Sequence, residues 1–526
     1  MSYGNIVLFY PKLGWMDVFV IDLPLSIIYV SHHCSVSGIE IRYVDQRVEG
    51  DSWKSVLLEA VDDKTLLIGF SCMSGEPILR SLEATRYIKK HYPSLPTVWG
   101  GQHATICPKE TLKEQSIDYI IRGHGSMSLK NLCNHISNGA YELSSVEGLG
   151  WRENGGIQLN PMSDDLDFPA LDELDFTGID INRYTRFQYS KNVYSLFTSF
   201  GCPHKCKFCF APIFYGNIKG KKWFAYSVDE VVGHLENMVR DYNIGYISIL
   251  DEMFFLDKNR AREILLGVIE RGLELEWGIR GVRIDDLDRM DNDFFELMSN
   301  AGIRQMMIGA ESGSERMLKI MKKGITVEQT IRVNKRLKDF PKLIPSYNFL
   351  SGIPGEHIDD MYKSVSLILT LLEDNPHANF SGMNQFVPFP GSELYDICVQ
   401  NGFHEPQSLE EWSFVDTHYY RGNVLWLDKK FLRILHSIQS SLMFIDNKTS
   451  RELSSCEGDS RDWRKSAKRP FIIRMMFKLI VLLGSFLRIV AKFRLKNKFF
   501  IFPFEYYLAI IGTSIMDKLQ VLRKKP

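Results

Sequence analysis

Eleven short apolar runs, most of them ending in a turn of glycine, acidic or small polar residues, recur along the first 390 residues with helical patterns between them. A short apolar run bounded by turn residues reads as a buried strand, and strand alternating with helix reads as parallel sheet covered by helices. Sheets of this kind bind ligands at the carboxyl ends of their strands, where these turns lie. Five of the runs precede residue 125 and six follow residue 190, so the chain is expected to hold two such sheets. At 526 residues it is too long for one core.

The first group comprises Ile6–Tyr10, Ile39–Val44, Leu66–Ser71, Thr97–Trp99 and Tyr119–Ile121, with a helical pattern such as Pro77 to His91 between strands. The turns after the last three are Cys72-Met73-Ser74-Gly75, Gly100-Gly101-Gln102-His103-Ala104-Thr105 and Arg122-Gly123-His124-Gly125. Their small and polar residues suit a backbone that approaches a bulky ligand. No G-x-G-x-x-G follows the first strand, so a dinucleotide site is not supported. A sheet of nucleotide-binding type without a ligand is the alternative. Asp164 to Tyr184, rich in Asp, Leu and Pro and without a clean period, reads as a connecting strap.

The second group begins with Tyr194–Thr198, which runs into F-G-C-P-H-K-C-K-F-C-F-A-P at residues 200–212. Three of the nine cysteines, Cys202, Cys206 and Cys209, fall within eight residues in C-x3-C-x2-C spacing, with Phe208 just before the last. Three thiolates on one loop can hold three irons of a 4Fe–4S cluster and leave the fourth iron open. A structural zinc site asks for a fourth nearby ligand. The next cysteine is Cys398, and His204 lies inside the loop, where ligation would strain it. The other six cysteines are scattered singly and the total is odd, which is not a disulfide framework and fits a reducing cytoplasm. The N-terminus has no basic region followed by a long apolar run, so no secretory signal is expected.

The cysteine spacing resembles the signature of the radical S-adenosylmethionine (SAM) superfamily. In that family the open iron chelates the amino and carboxylate groups of SAM, and one electron from the reduced cluster yields a 5′-deoxyadenosyl radical. The next turns resemble the group's rim in order. Asp251-Glu252-Met253-Phe254 matches an element that meets the SAM amino group, although N-capping is the alternative for Asp251 and Glu252. Arg283 falls where an arginine meets the SAM carboxylate. Glu311 and Ser312 stand in G-A-E-S-G, near the ribose hydroxyls, and for Arg283 and Glu311 a rim salt bridge is the alternative. P-F-P-G-S-E-L-Y, ending at Tyr395, resembles the close of the domain. With Phe208, these residues form the expected SAM set. Six strand–turn–helix units imply a partial (β/α)6 barrel.

The first group resembles the cobalamin-binding domain that precedes the barrel in one subfamily, with G-G-Q-H-A-T matching its turn. The resemblance implies cobalamin held by Ser71, Met73, Ser74, Gly100, Gly101, Gln102, His103 and Gly123. His124 and Ser126 stand where relatives usually carry two acids. The D-x-H-x-x-G motif that supplies a histidine to cobalt is absent, which implies base-off cobalamin. Met73 is read either beneath the corrin or packed in the core. His103 is read either against the corrin or as a turn cap.

The expected architecture is therefore α/β, in four parts. These are a doubly wound cobalamin-binding-like domain at 1–150, a linker at 151–190, a radical SAM domain at 191–400 and a helical region at 401–526. The net charge of −1 suggests no nucleic acid partner. From Arg461 onward, however, 16 Lys and Arg stand against 3 Asp and Glu, leaving 47 against 61 in the rest. Between 471 and 493, Arg474, Lys478, Ser485, Arg488 and Lys492 share one helical stripe on an otherwise apolar segment. The uncharged run Leu479 to Leu487 is too short to span a bilayer. An interfacial helix and a cap packed on the barrel both fit this pattern. The first implies peripheral contact of 471–516 with the inner face of the membrane.

The resemblance implies a cobalamin-dependent enzyme that methylates an unactivated carbon of a small-molecule, natural-product or lipid-like substrate. One SAM would start the radical and a second would methylate cobalamin, with flavodoxin or ferredoxin as electron donor. Cyclases and oxidoreductases share the fold. The competing readings are a cobalamin-free radical SAM enzyme and a non-catalytic iron–sulfur sensor.

Overall fold

A computed structural model describes residues 4–14, 17, 22–164, 168–184, 192–216, 219–220, 222–415, 426–445 and 487–500. The chain divides into two compact units. The first comprises Met1–Gly281, Asn300–Ile303 and Val387–Asn423, and the second Val282–Ser299, Arg304–Phe386 and Val424–Pro526.

The first unit opens with a seven-stranded sheet. Its strands are β1 (Asn5–Tyr10), β2 (Glu40–Asp45), β3 (Thr65–Ser71), β4 (Thr97–Gly100), β5 (Tyr119–Ile121), β6 (Leu149–Glu153) and β7 (Gly156–Leu159). Their order is β2-β1-β3-β4-β5-β6-β7. The five expected strands are all present and parallel. The order 2-1-3-4-5 is that of a doubly wound sheet whose ligand crevice lies at the carboxyl ends beside β1 and β3. Its core joins Ile6, Leu8, Leu67 and Val98 to Ile27, Leu129 and Leu132. The last three lie on the helices Leu25–Val36 and Ser126–Asn138, which pack on each other.

β6 and β7 add an antiparallel hairpin inside the stretch expected as linker. Its turn is Asn154-Gly155, with φ of 50° and 76°. An Asn-Gly pair at positive φ makes the two-residue turn whose twist matches a hairpin. The strap from residue 168 to 184 is irregular, apart from short turns at Leu171–Glu173 and Ile181–Arg183.

The same unit then carries β8 (Asn192–Leu196), the ribbon β9 (Ser199–Phe200) and β10 (Phe224–Ala225), β11 (Ile244–Ile249) and β12 (Glu276–Val282). β8, β11 and β12 are parallel neighbours, with Ser248 facing Ser195 on one side and Gly278 on the other. The helix Val228–Tyr242 starts at the expected capping box, where Ser227 and Glu230 exchange side-chain-to-amide bonds.

The second unit holds three strands that are parallel as well, β13 (Ile303–Glu311), β14 (Ile344–Ser351) and β15 (Asn379–Gln385). The helix Lys429–Ile445 packs against β15 and the helix Ile358–Asp374. Residues 487–497 are helical, with Ala491, Arg494 and Leu495 buried and Ile489 and Phe493 exposed. Lys496 pairs with Glu373 at 2.8 Å and Phe500 stacks on Tyr362, so this piece packs on the helix Ile358–Asp374. The rest of the amphipathic segment, 471–486 and 501–516, lies outside the described residues. Among the described residues no helix is long and apolar enough to cross a membrane.

Candidate active site

The cysteine loop leaves β9 at Gly201, where φ is 92° and a Cβ would stand 2.2 Å from the Lys222 carbonyl oxygen. Only glycine fits there, because an L side chain would meet backbone in an unfavourable conformation. Cys206 is buried and Cys202 and Cys209 are half-buried. The loop turns back through the Cys209 amide, which donates to the Cys206 carbonyl at 3.2 Å. The Cys209 Sγ accepts from the Ala211 amide at 3.4 Å, a contact that favours a thiolate. Cys202 and Cys209 pack with Phe214 against Ala211 and Tyr215.

Three further elements hold the loop. Asp251, at the end of β11, is 1% exposed and accepts from the Thr198 amide, the Thr198 hydroxyl and the Ser199 hydroxyl, each at 2.6 Å. Burial raises its pKa while these donors pull it down. Glu252 accepts from the Tyr215 hydroxyl at 2.8 Å and from the Gly201 amide at 3.2 Å. From the P-F-P-G-S-E-L-Y segment, the Leu394 amide donates to the Lys207 carbonyl at 3.1 Å and Glu393 pairs with Lys207 at 2.9 Å. A buried carboxylate must be satisfied locally, and Asp251 spends its oxygens on the strand that feeds the loop, while the next helix, Lys258–Glu270, is capped by Asp257.

The turns after β3, β4 and β5 are braced together. The Cys72 amide donates to the Gly100 carbonyl at 2.9 Å, and the His103 amide to the Cys72 carbonyl at 3.1 Å. The Thr105 hydroxyl donates to the Gly101 carbonyl at 2.8 Å and accepts from the Gly123 amide at 3.0 Å. Gly101 has φ of 93° and a Cβ there would lie 2.8 Å from the Cys72 carbonyl oxygen. Ser71 bonds Ser26 at 2.8 Å. Met73 is 42% exposed, so it stands open on the rim rather than in the core. His103 is fully buried, with Nδ1 bonded to the Ser74 hydroxyl at 3.0 Å and its ring against Trp412. Burial pushes its pKa down to about 3. Its Nδ1 bond is that of a turn brace, and its Nε2 is buried without a hydrogen-bond partner among the described residues.

The short helix Gln102–Ile106 packs on the helix Ala211–Phe214 directly behind the cysteine loop. His124, from the β5 turn, stacks on Tyr215 with ring centroids 5.8 Å apart. The glycine turns and the cysteine loop are thus neighbours within one unit.

In the second unit, Arg283 is buried and donates to Asp285 at 2.9 Å and to the Lys323 carbonyl at 2.7 Å. Lys323 in turn pairs with Glu311 at 2.7 Å. Glu311 sits at φ of 62°, a strained value for a non-glycine residue, and so is held by its surroundings. Ser312 is buried, shares a bond with Ser364 at 3.1 Å and accepts from the Ser314 amide. Lys323 and Tyr215 went unread in the sequence, because no motif marks either residue.

Residues 196–368 match the radical SAM superfamily and residues 22–132 match the B12 binding domain. The chain carries a B12-binding domain ahead of a radical SAM domain. It is 28% identical over 321 residues to an uncharacterized methyltransferase of Pyrococcus horikoshii, covering 61% of this chain and 66% of that protein. It is 24% identical over 386 residues to the anaerobic magnesium-protoporphyrin IX monomethyl ester cyclase of Rubrivivax gelatinosus, covering 71% of this chain and 65% of that one. The chain thus spans just under two thirds of the length of these relatives. Its fold is that of the radical SAM methyltransferase TsrM of Kitasatospora setae, whose structure holds cobalamin and a [4Fe-4S] cluster. The TM-score is 0.61 at 20% identity, covering 77% of this chain and 76% of that one.

The radical SAM domain implies a 4Fe–4S cluster and SAM, and the B12-binding domain implies cobalamin. The residues present fit both. Three cysteines share one braced loop, which suits one thiolate per iron. Gly100 and Gly101 put no side chain into the β4 turn, and Met73 of the β3 turn is 42% exposed.

Proposed function

We propose that the chain is a cobalamin-dependent radical SAM methyltransferase acting on an unactivated carbon of a small-molecule or lipid-like substrate. The observation that carries this reading is the packing of the helix Gln102–Ile106 on the helix Ala211–Phe214. It brings the turn that would meet a corrin against the loop that would hold a cluster, so a substrate in reach of one is in reach of both.

Bound there, the cluster with SAM supplies one-electron radical chemistry and cobalamin supplies a carrier for a methyl group. Cys202, Cys206 and Cys209 hold the cluster. Asp251 and Glu252 keep the loop in place from behind. Arg283 and Glu311 belong to the expected SAM set of the second unit, where they also form ion pairs with Asp285 and Lys323. The bare glycine backbone at 100–101 lets the macrocycle approach closely. A flavodoxin or ferredoxin supplies the electrons. Within 471–516, the face that carries the exposed Ile489 and Phe493 would touch an anionic membrane surface, while Lys496 and Phe500 hold the segment to the helix Ile358–Asp374.

The test is anaerobic reconstitution with iron, sulfide and cobalamin, followed by turnover of candidate substrates with methyl-labelled SAM. Label appearing in product supports the reading. Label retained only in methionine, with a ring-closed or dehydrogenated product, gives the cyclase-type alternative. Sedimentation with vesicles containing phosphatidylserine tests the membrane contact, which truncation before residue 471 should abolish.

A further inference from the structure

Glu252 joins the two ends of the cysteine loop. One carboxylate oxygen takes the Gly201 amide just before Cys202, and the other takes the hydroxyl of Tyr215, six residues beyond Cys209. Tyr215 is 4% exposed and packs on Cys202 and Cys209. Its other face lies against His124, from the β5 turn of the B12-binding domain, with the rings at 30°. His124 is also wedged edge-on against Phe168 at 4.7 Å and Phe214 at 5.1 Å. The His124 Nε2 is buried and has no hydrogen-bond partner among the described residues. The contacts that His124 makes with Tyr215, Phe168 and Phe214 are ring on ring.

We propose that His124, Tyr215 and Glu252 are positioning residues, through which the β5 turn of the B12-binding domain sets the cysteine loop and so the geometry of the cluster it binds. The path is continuous. The turn carries the His124 ring, the ring seats Tyr215, Tyr215 orients Glu252, and Glu252 holds the Gly201 amide at the mouth of the loop. Partners behind the ligands of a metal site typically matter by 10- to 100-fold in retention of the metal. The inference rests on the cysteine loop binding a cluster, but on neither cobalamin turnover nor methyl transfer.

The test uses the full chain, anaerobically reconstituted, with Tyr215→Phe, His124→Ala and His124→Phe beside the wild type. Iron and sulfide per chain during challenge with a chelator give cluster retention. The electron paramagnetic resonance spectrum of the dithionite-reduced protein gives cluster geometry. Far-UV circular dichroism follows the fold. Tyr215→Phe keeps the ring and loses the hydroxyl that bonds Glu252 and lies at the Gly201 amide. It should melt like the wild type, lose iron on the order of tenfold faster and show shifted g-values. His124→Ala should behave likewise, and His124→Phe should restore wild-type retention because it keeps a flat ring.

Wild-type retention and spectrum in both Tyr215→Phe and His124→Ala would overturn the assignment. So would a His124→Phe protein as impaired as His124→Ala, or iron loss that merely follows unfolding. If His124→Ala does not fold, Tyr215→Phe and His124→Phe still decide. A wild-type chain that binds no cluster would instead sink the functional reading on which the inference rests.

Discussion

Asp251 takes both the amide and the hydroxyl of Thr198, each at 2.6 Å, across 53 residues of sequence. Both residues are buried, and the Ser199 hydroxyl completes the set. Arg260 closes the back of this knot by donating to the Thr198 carbonyl at 2.7 Å. The end of β8 is therefore fixed before the chain enters the cysteine loop.

Asp251→Ala should destabilise the first unit by about 3 kcal/mol or more, since it strands three buried donors at once. Asp251→Asn keeps the shape and one acceptor oxygen, and should lose about 1–3 kcal/mol. Urea unfolding followed by circular dichroism measures both. Iron content after reconstitution should fall in the same order.

Acid should weaken the first unit through three enclosed histidines. Burial holds the pKa of His103 down at about 3 and those of His124 and His234 at about 4. Their unfolded values lie near the usual 6.5, so below that pH the unfolded chain binds protons that the folded one does not. Stability is then fully present above pH 6.5 and is lost as pH falls toward 4. The slope approaches about 1.4 kcal/mol per pH unit for each histidine. Urea midpoints at pH 7 and pH 5 check the sign. His234→Phe should flatten the slope, although it also forfeits the 2.7 Å bond to the Tyr194 hydroxyl.

Gly101→Ala tests the expected corrin turn. The residue sits at φ of 93°, and a Cβ would press on the Cys72 carbonyl oxygen from 2.8 Å. With ψ of −167° this is a conformation adopted essentially by glycine alone, and a residue with a Cβ there costs on the order of 1–3 kcal/mol. The protein should fold with a lowered melting temperature. It should retain on the order of tenfold less cobalamin after gel filtration, read from corrin absorbance, as expected when supporting geometry at a cofactor site is lost.

Gly309→Ala tests the expected SAM pocket in the second unit. A Cβ there would lie 2.3 Å from Glu311 Oε1 and 2.6 Å from Lys323 Nζ. Both are tips of flexible side chains, so the fold should survive with a loss of about 1 kcal/mol. The Glu311–Lys323 pair should splay, and equilibrium dialysis with labelled SAM on cluster-loaded protein should show affinity weakened on the order of tenfold.

Much of the fold was legible because local chemistry announces it. Ser227 and Glu230 mark a helix start in the sequence and cap one in the structure. The apolar runs that end at Ser71, Ile121 and Val44 are strands ending within a residue of those positions. The β6–β7 hairpin was equally announced by Asn154-Gly155, but the short alternating strands on either side carry few apolar residues and were absorbed into the linker. Asp251 and Glu252 were legible as important, but the contacts they make were not. Their spacing in a motif marks a rim turn, whereas what each carboxylate touches depends on Thr198 and Tyr215, 53 and 37 residues earlier in the chain.

By itself the sequence determined two sets of parallel strands with glycine-rich or polar turns at their carboxyl ends, and a cysteine loop able to hold three irons. Those properties follow from side-chain periodicity, from the backbone freedom of glycine and from the spacing of thiols along a few residues. Only the tertiary structure decided that the Gly100–Thr105 turn lies against the helix behind Cys209 and that Asp251 faces Thr198. It also decided that His124 reaches Tyr215. Such contacts join residues tens of positions apart. They exist only once burial of the core has brought the strand ends together, so no local pattern encodes them.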